Sequence, residues 1–442
     1  MDDHRYDFDG FRLDPQQRQL LGADGTPVAL TAKAFDTLLC LIRNRDRILA
    51  KDELLAQVWP GRVVEENNLA QAVSTLRRVL GEGQGPQRHI LTVAGRGYRF
   101  VAEVSESALS TDAGRAERHE VERDYLAAFD LIHAPSRARL RRAIGAFRKV
   151  LDRDPGFARA WSGLAFVWRA LTIVDDMDPM QAFPLAKAAV AHALALEPGL
   201  ADAHTARGFN LFWHDWDWGG AETALLQAIR LDPALADAHF VYAHLLNNLG
   251  RFDEALAQAR QARELDPLSP LINTLEAGFL GAAGRVDESR ERIARALELA
   301  PDFWVALLAR AGMALARGDA ATAAIDLARA STLSEGNSQV LAMLGMAHVA
   351  AGEEGRARQL LAELETRAAA GYVPATSRAS IHNALGEHAA ALDLLERGYA
   401  QRDIRMTFLG VDARWNNLRG EPRFHQLAQR LGLGRAPAQG RL

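Results

Sequence analysis

Residues 64–81 read V-E-E-N-N-L-A-Q-A-V-S-T-L-R-R-V-L-G, and their pattern decides the fold of the first hundred residues. Leu69, Val73, Leu76 and Leu80 fall at offsets 0, 4, 7 and 11, the apolar stripe of one helix face. Asn67, Asn68, Gln71, Ser74, Thr75 and Arg78 lie off that stripe. Amides, hydroxyls and guanidinium groups are the side chains that hydrogen-bond base edges and phosphates. Gly81 can stop the helix by taking positive φ. The spacing therefore predicts a helix with one face for a core and the other for a nucleic acid.

The flanks supply its setting. Short alternating segments come first, Phe8-Gly10-Phe11-Arg12-Leu13, then Arg18-Gln19-Leu20-Leu21, then Pro27-Val28-Ala29-Leu30. Asp14-Pro15 and Asp24-Gly25 turn the chain between them, which predicts a small antiparallel sheet. Thr31 then caps a helix with Phe35, Leu38, Leu39 and Ile42 on one face. A second helix is predicted over 51–58. Its cap position, Ala50, has no side-chain acceptor, and Asp52 and Glu53 compensate through the helix dipole. Trp59-Pro60-Gly61 ends it, and the 64–81 stretch is the third helix. His89 to Val93, then Ala94-Gly95-Arg96-Gly97, then Tyr98 to Val101 read as a β-hairpin with glycines at its tip.

Sheet, three helices and hairpin follow in the order of a winged helix-turn-helix domain. Residues 8–104 resemble the output domain of OmpR/PhoB-type response regulators of phosphorelay systems, and most resemble the variant in CadC-like one-component regulators. The matching residues are Leu30-Thr31 with Phe35 and Leu38-Leu39, Glu53-Leu54-Leu55 with Val58-Trp59, and Glu66-Asn67 with Leu69 and Gln71. Leu76-Arg77-Arg78 with Leu80-Gly81, and Thr92-Val93 with Gly95 and Gly97-Tyr98-Arg99-Phe100, complete them. Only residues 1–7 precede the matched stretch, so no receiver domain is expected ahead of it.

The resemblance implies that the third helix enters the major groove of double-stranded DNA and the wing reaches the adjoining minor groove. It places Asn67, Gln71, Ser74, Thr75, Arg77 and Arg78 on the contacting helix and Arg96 and Arg99 on the wing. Asn68 has two readings, base contact and helix capping. Some relatives carry Arg or His where this chain has Asn67, Ala72, Ser74, Thr75 and Ala94, so the reading face here bears fewer charges. The resemblance also implies a dimer on tandem DNA sites. Charge agrees locally. Between residues 77 and 102, Arg77, Arg78, Arg88, Arg96 and Arg99 face Glu82 alone, five against one, a local charge of +4. A merely solvated face is the alternative reading of those arginines.

Residues 105–123 are small and polar and read as a linker. Beyond them the chain is rich in Ala and Leu with helical periodicity. Pro198, Pro233, Pro267 and Pro301 are spaced 35, 34 and 34 residues apart. That period resembles the tetratricopeptide (TPR) repeat, an antiparallel helix pair that stacks into a solenoid with a concave, peptide-binding groove. Residues 236–267 are the best copy. Gly250, Gly284, Gly318, Gly352 and Gly386, each 34 apart, mark the turn inside each pair. Ala243, Ala277, Ala311 and Gly345 recur where the first helix is crossed closely, and Ala255, Ala323, Ala357 and Ala391 where the second is. An earlier copy runs through Phe147 and Ala165 and is followed by a longer excursion over 171–184. Residues 412–433 read as a capping segment.

Composition excludes more than it suggests. The net charge of -4 carries no overall nucleic-acid signature. The single cysteine, Cys40, permits no internal disulfide and no thiolate metal cluster, and reads as a small core residue. The acidic start is no signal peptide, and no run approaches a membrane span, so a cytoplasmic protein is expected. The insert F-W-H-D-W-D-W-G, with Trp213, His214, Asp215, Trp216, Asp217 and Trp218, is either a ligand or partner site or an edge packed into an atypical repeat turn. Asp175, Asp176 and Asp178 lack calcium-loop spacing, and His382 and His388 about Glu387 match no zinc-protease pattern. No P-loop or nucleophile elbow occurs. The chain is expected to be no enzyme and to need no cofactor or metal.

The expectation is a mainly α chain. Residues 1–104 form an α+β winged helix-turn-helix domain, 105–123 a linker, 124–434 a TPR-like α-solenoid and 435–442 a disordered tail. The functional expectation is a transcriptional regulator that reads DNA sequence and takes a protein or peptide signal in its TPR groove. The alternative is an interaction scaffold whose winged helix no longer reads sequence.

Overall fold

The computed structural model describes residues 4–23, 25–59, 66–82, 88–93, 95–108, 112–133 and 136–433. The tail expected over 435–442, Pro60-Gly61 and Ala94 lie outside the described residues. The chain divides into two compact units, Met1–Glu120 and Val121–Leu442.

In the first unit, β1 (His4–Phe8), β2 (Phe11–Asp14), β3 (Gln19–Leu21) and β4 (Pro27–Val28) form an antiparallel sheet. Its register aligns Tyr6 with Leu13 and Leu13 with Leu20. All three are buried, so one row of side chains crosses the sheet toward the core. Thr31 caps α1 (Ala32–Arg43) by accepting from Ala34 N at 3.2 Å. α2 (Lys51–Val58) starts at Ala50 with no side-chain cap, and Asp52 and Glu53 lie in its first turn. α3 is Glu66–Val79. The wing is the hairpin of β5 (Ile90–Val93) and β6 (Gly97–Phe100). Phe35, Leu38, Ile42, Leu54, Leu69, Leu76 and Phe100 meet in one core, which includes Cys40.

The linker expected over 105–123 is a misreading. β7 (Ser105–Ala108) pairs antiparallel with β1 and completes a sheet of order β4-β3-β2-β1-β7. An edge strand is held by backbone hydrogen bonds and needs no apolar face, so S-E-S-A gave no strand signal. α4 (Asp112–His133) covers 112–123. Val121, Tyr125, Ala128 and Ile132 form its buried stripe, and that periodicity located the packing and not the helix start.

The second unit is a stack of antiparallel helix pairs. The regular ones are α10 (Ala236–Asn248) with α11 (Phe252–Leu265), α12 (Pro270–Ala282) with α13 (Val286–Leu299), and α14 (Trp304–Ala316) with α15 (Ala320–Leu333). α16 (Ser338–Ala350) with α17 (Glu354–Ala370) and α18 (Ala375–Ala384) with α19 (His388–Ala400) continue it. The turn glycines Gly250, Gly284, Gly318, Gly352 and Gly386 all hold φ of 76–78°. The eight small crossing residues are buried. The second-helix position that lacked alanine is Ser289, whose hydroxyl donates to Ala277 O at 2.7 Å.

Three pairs precede these: α4 with α5 (Arg137–Arg153), α6 (Ala158–Val174) with α7 (Pro179–Leu196), and α8 (Ala201–Asn210) with α9 (Trp218–Leu231). The excursion expected over 171–184 is longer helix instead: α6 runs to Val174 and α7 starts at Pro179, with Asp178 capping it at Met180 N. Pro179 is tolerated because first-turn N–H groups need no helical partner.

Candidate nucleic-acid interface

α3 is two-sided. Leu69, Val73, Leu76 and Leu80 are at most 3% exposed, and Ala72 widens the buried stripe. Asn67, Asn68, Gln71, Ser74 and Arg78 are exposed, and Thr75 is half-buried at the edge. Asn67, Gln71, Ser74 and Arg78 succeed one another at intervals of four, three and four, so they share one face. α3 therefore holds its amide and hydroxyl groups away from the three-helix core, as its spacing predicted.

Arg77 does not belong with them. Its Nη2 donates to Ile90 O at 2.8 Å and to Thr92 Oγ1 at 2.6 Å, and it is half-buried. Its Nε lies 3.9 Å from Glu82 Oε2. The guanidinium ties α3 to the first strand of the wing, a structural task beside the DNA contact expected of Arg77. Arg77 sits next to Leu76, at the margin of the buried stripe, where a long side chain reaches the neighbouring strand before it reaches solvent.

The same joint holds a buried pair that the sequence did not reveal. Glu82 and His89 are 3% and 1% exposed. Glu82 Oε1 accepts from the His89 backbone N–H and lies 2.8 Å from His89 Nδ1. Two residues seven positions apart are fixed to one another there. Only the pairing in space marks them, because neither residue falls in a periodic pattern.

Arg96 and Arg99 are exposed on the wing and Arg88 beside it. Arg99 Nε donates to Arg45 O at 3.1 Å, leaving the rest of its guanidinium outward. Among the described residues, no hydrogen bond or ion pair engages the side chains of Arg78 or Arg96. The wing is anchored by Leu49, which exchanges two backbone hydrogen bonds with Tyr98, at 2.8 and 3.0 Å. Gly97 makes this approach possible: φ is +138°, and a Cβ there would stand 1.9 Å from Leu49 O.

Arg77 and Arg78 should therefore separate on mutation. Arg78→Ala is expected to weaken DNA binding with unchanged thermal stability. Arg77→Ala is expected to lose about 1–3 kcal/mol of stability in the N-terminal unit as well, because Ile90 O, Thr92 and Glu82 lose a charged partner. Thermal denaturation and gel shifts on both variants check this, and equal melting temperatures would refute the holding role.

The family model of transcriptional regulatory proteins, C terminal, matches residues 25–100. Residues 25–100 are an OmpR/PhoB-type DNA-binding domain. A tetratricopeptide repeat model matches residues 236–267, which are α10 and α11 with the proline that follows them. Transcriptional regulatory protein KdpE of Mycobacterium tuberculosis is 36% identical over 95 residues, which are 21% of this chain and 42% of that one. Transcriptional regulator HilA of Salmonella typhi is 37% identical over 73 residues, 16% of this chain and 13% of that one. The solved DNA-binding domain of Klebsiella pneumoniae RstA in complex with RstA box is 31% identical, with a TM-score of 0.20 over 22% of this chain and 96% of that one. The chain spans less than half the length of the curated relatives it matches. Both matched families are non-enzymatic in kind: a regulator's DNA-binding domain and a repeat. Among the described residues, no helix is long and apolar enough to cross a membrane.

The second expected site, an open groove in the repeats, is altered by the chain itself. Ile404 is buried among Phe183, Phe209, Phe212, Phe240, Val241 and Ile272. The Phe408 ring lies 5.1 Å from that of His244. Arg405 Nη2 donates to Gln339 Oε1 at 2.9 Å, and Asp403 accepts from Thr376 N and Oγ1 at 2.9 and 2.7 Å. Residues 403–408 thus lie across first helices of the pairs, α8, α10 and α16 among them, the row that lines the inner face of such a stack. A protein or peptide partner does not find this stretch open.

The Trp-rich insert is the seat of that closure. Trp216 packs on Tyr399 with centroids 4.7 Å apart and under the Arg402 guanidinium at 4.1 Å. Trp218 Nε1 donates to Leu431 O at 2.8 Å. Asp217 caps α9, and Asp215 pairs with Lys187. Of the two readings of the insert, this is the packed one. Asp175, Asp176 and Asp178 are likewise engaged, by Arg137 and Arg141, by Ser338 and by the α7 cap. His382 Nδ1 lies 2.6 Å from Glu387 Oε2.

Proposed function

We propose that the chain is a sequence-specific DNA-binding transcriptional regulator whose helical unit receives a protein or peptide signal. The observation that carries the first half is the two-sidedness of α3, with Leu69, Val73 and Leu76 in the core and Asn67, Gln71, Ser74 and Arg78 in solvent. In this reading α3 lies in the major groove with Asn67, Gln71, Ser74 and Thr75 at base edges. Asn68 either joins them or serves the helix start. Arg78, Arg96 and Arg99 take phosphates, the last two from the wing over the minor groove. Arg77 keeps wing and helix in register. Two chains on tandem sites extend the same geometry.

The second half is supported by the repeat match and the helix-pair stack. The partner is assigned to the helical surface outside the stretch that residues 403–408 fill.

Gel shifts with upstream and random DNA at two salt concentrations test the DNA half. The upstream fragment is expected to bind about 10³-fold or more tightly, and both affinities to fall as salt rises. Equal binding to both fragments would leave a nonspecific scaffold.

A further inference from the structure

α7 is apolar on both of its sides. Phe183, Ala186, Ala189 and Val190 face the helical unit and are buried. The exposed residues of α7 include no Asp, Glu, Lys or Arg. Its one charged residue, Lys187, is half-buried and pairs with Asp215. In α11 and α13, the equivalent helices of later pairs, most of the exposed residues are charged. Three of the exposed residues of α7 are large, with Met180 at 51%, Leu185 at 42% and Leu196 at 47%. A helix that is apolar all round belongs in an interior, and a contiguous exposed apolar stripe marks a surface that another molecule covers.

The stripe matches itself when turned end for end. Ala188 lies at its middle and is exposed. In an antiparallel pair of α7 helices crossing there, residues equally far from Ala188 on either side oppose one another. Leu185 then meets Ala191, Gln181 meets Ala195, and Met180 meets Leu196. Large side chains stand against alanines near the crossing. Large meets large only at the ends, where crossing helices diverge. Alanine at the crossing itself lets the two backbones approach closely. Pro184 opposes His192, whose ring is held on Trp161 of its own chain at 4.5 Å. No like charges meet along the stripe, as they would if α11 or α13 paired with its own copy.

We infer that α7 is a self-association surface, on which a second copy of this chain packs its own α7 antiparallel, about a two-fold axis through Ala188. The stripe is about 27 Å long and about 10 Å wide. That is below the roughly 800 Å² a standard interface takes from each partner. The contact is therefore weak, with a Kd on the order of 10–100 µM. Two chains on tandem DNA sites stand at an effective concentration of about 1 mM, which saturates such a contact. That use rests on the DNA reading proposed above. The contact itself does not, and it is measured without DNA.

Sedimentation equilibrium of the full chain, without DNA, is measured from about 2 to about 200 µM, a range that brackets the expected Kd. Wild type is expected to pass from monomer to dimer. Ala188→Glu sets two carboxylates against each other at the axis and is expected to weaken the dimer at least about tenfold, with unchanged thermal unfolding. Cysteine cross-linking gives a second readout, and the native Cys40 is buried in the first unit. Ala188→Cys is expected to link to its own copy on oxidation, because the axis brings the two residues within disulfide reach. Ala195→Cys alone is expected not to link, since its two copies stand about 21 Å apart along the helices. Mixed with Gln181→Cys, it is expected to link. A chain that stays monomeric to about 200 µM would overturn the assignment and leave the stripe to a different protein. A dimer that Ala188→Glu does not weaken, or equal linking by Ala188→Cys and Ala195→Cys alone, would overturn it as well.

Discussion

Ile404→Ala is expected to destabilise the helical unit by about 2–5 kcal/mol, the range for truncating a buried aliphatic side chain. Ile404 is 3% exposed and touches a cluster drawn from α7, α8, α10 and α12. Removing its branch leaves a hole where helices of successive pairs meet the returning chain, and a stack of pairs transmits that loss to its neighbours. Urea denaturation of wild type and variant measures it. A change below about 0.5 kcal/mol, as at an ordinary surface position, would show that residues 403–408 do not fill the groove.

Acidification is expected to destabilise the same unit through His244. Burial lowers its pKa to about 3, with the Arg169 charge acting in the same direction. The unfolded chain protonates this residue near pH 6.5, the native chain only near pH 3. Between those values the unfolded state holds the extra proton, so stability falls as the pH falls. The contribution is complete above about pH 6.5 and is lost at about 1.4 kcal/mol per pH unit below it. Burial shifts Asp176 and Asp202 upward, which acts in the opposite sense. His244→Phe isolates the histidine: its stability is expected to fall less steeply between pH 6 and pH 4 than that of wild type. Parallel curves would contradict the account.

The order of elements and the repeat were legible because both rest on periodicity. Offsets of 0, 4, 7 and 11 located the buried side of α3, and the 34-residue interval located the turns at Gly250 through Gly386. What escaped were features that depend on partners distant in the chain. β7 is polar and is held by backbone pairing to residues about a hundred positions away. Arg77 looked like its neighbour Arg78, and only the course of β5 tells them apart. Residues 403–408 have no repeat of their own, so their burial across the inner helices could not be read from spacing. Asp175, Asp176 and Asp178 suggested a ligand set by type, and each proved committed to an arginine, a hydroxyl or a helix cap.

The most direct test of the central claim, that the solvent face of α3 reads bases, is in vitro selection of DNA by the full chain and by Gln71→Ala. Wild type is expected to recover a defined sequence. Gln71→Ala is expected to recover that sequence relaxed at one position, with a loss of about 1–3 kcal/mol on the original site. An unchanged consensus bound with unchanged affinity would contradict the placement of α3 in the major groove.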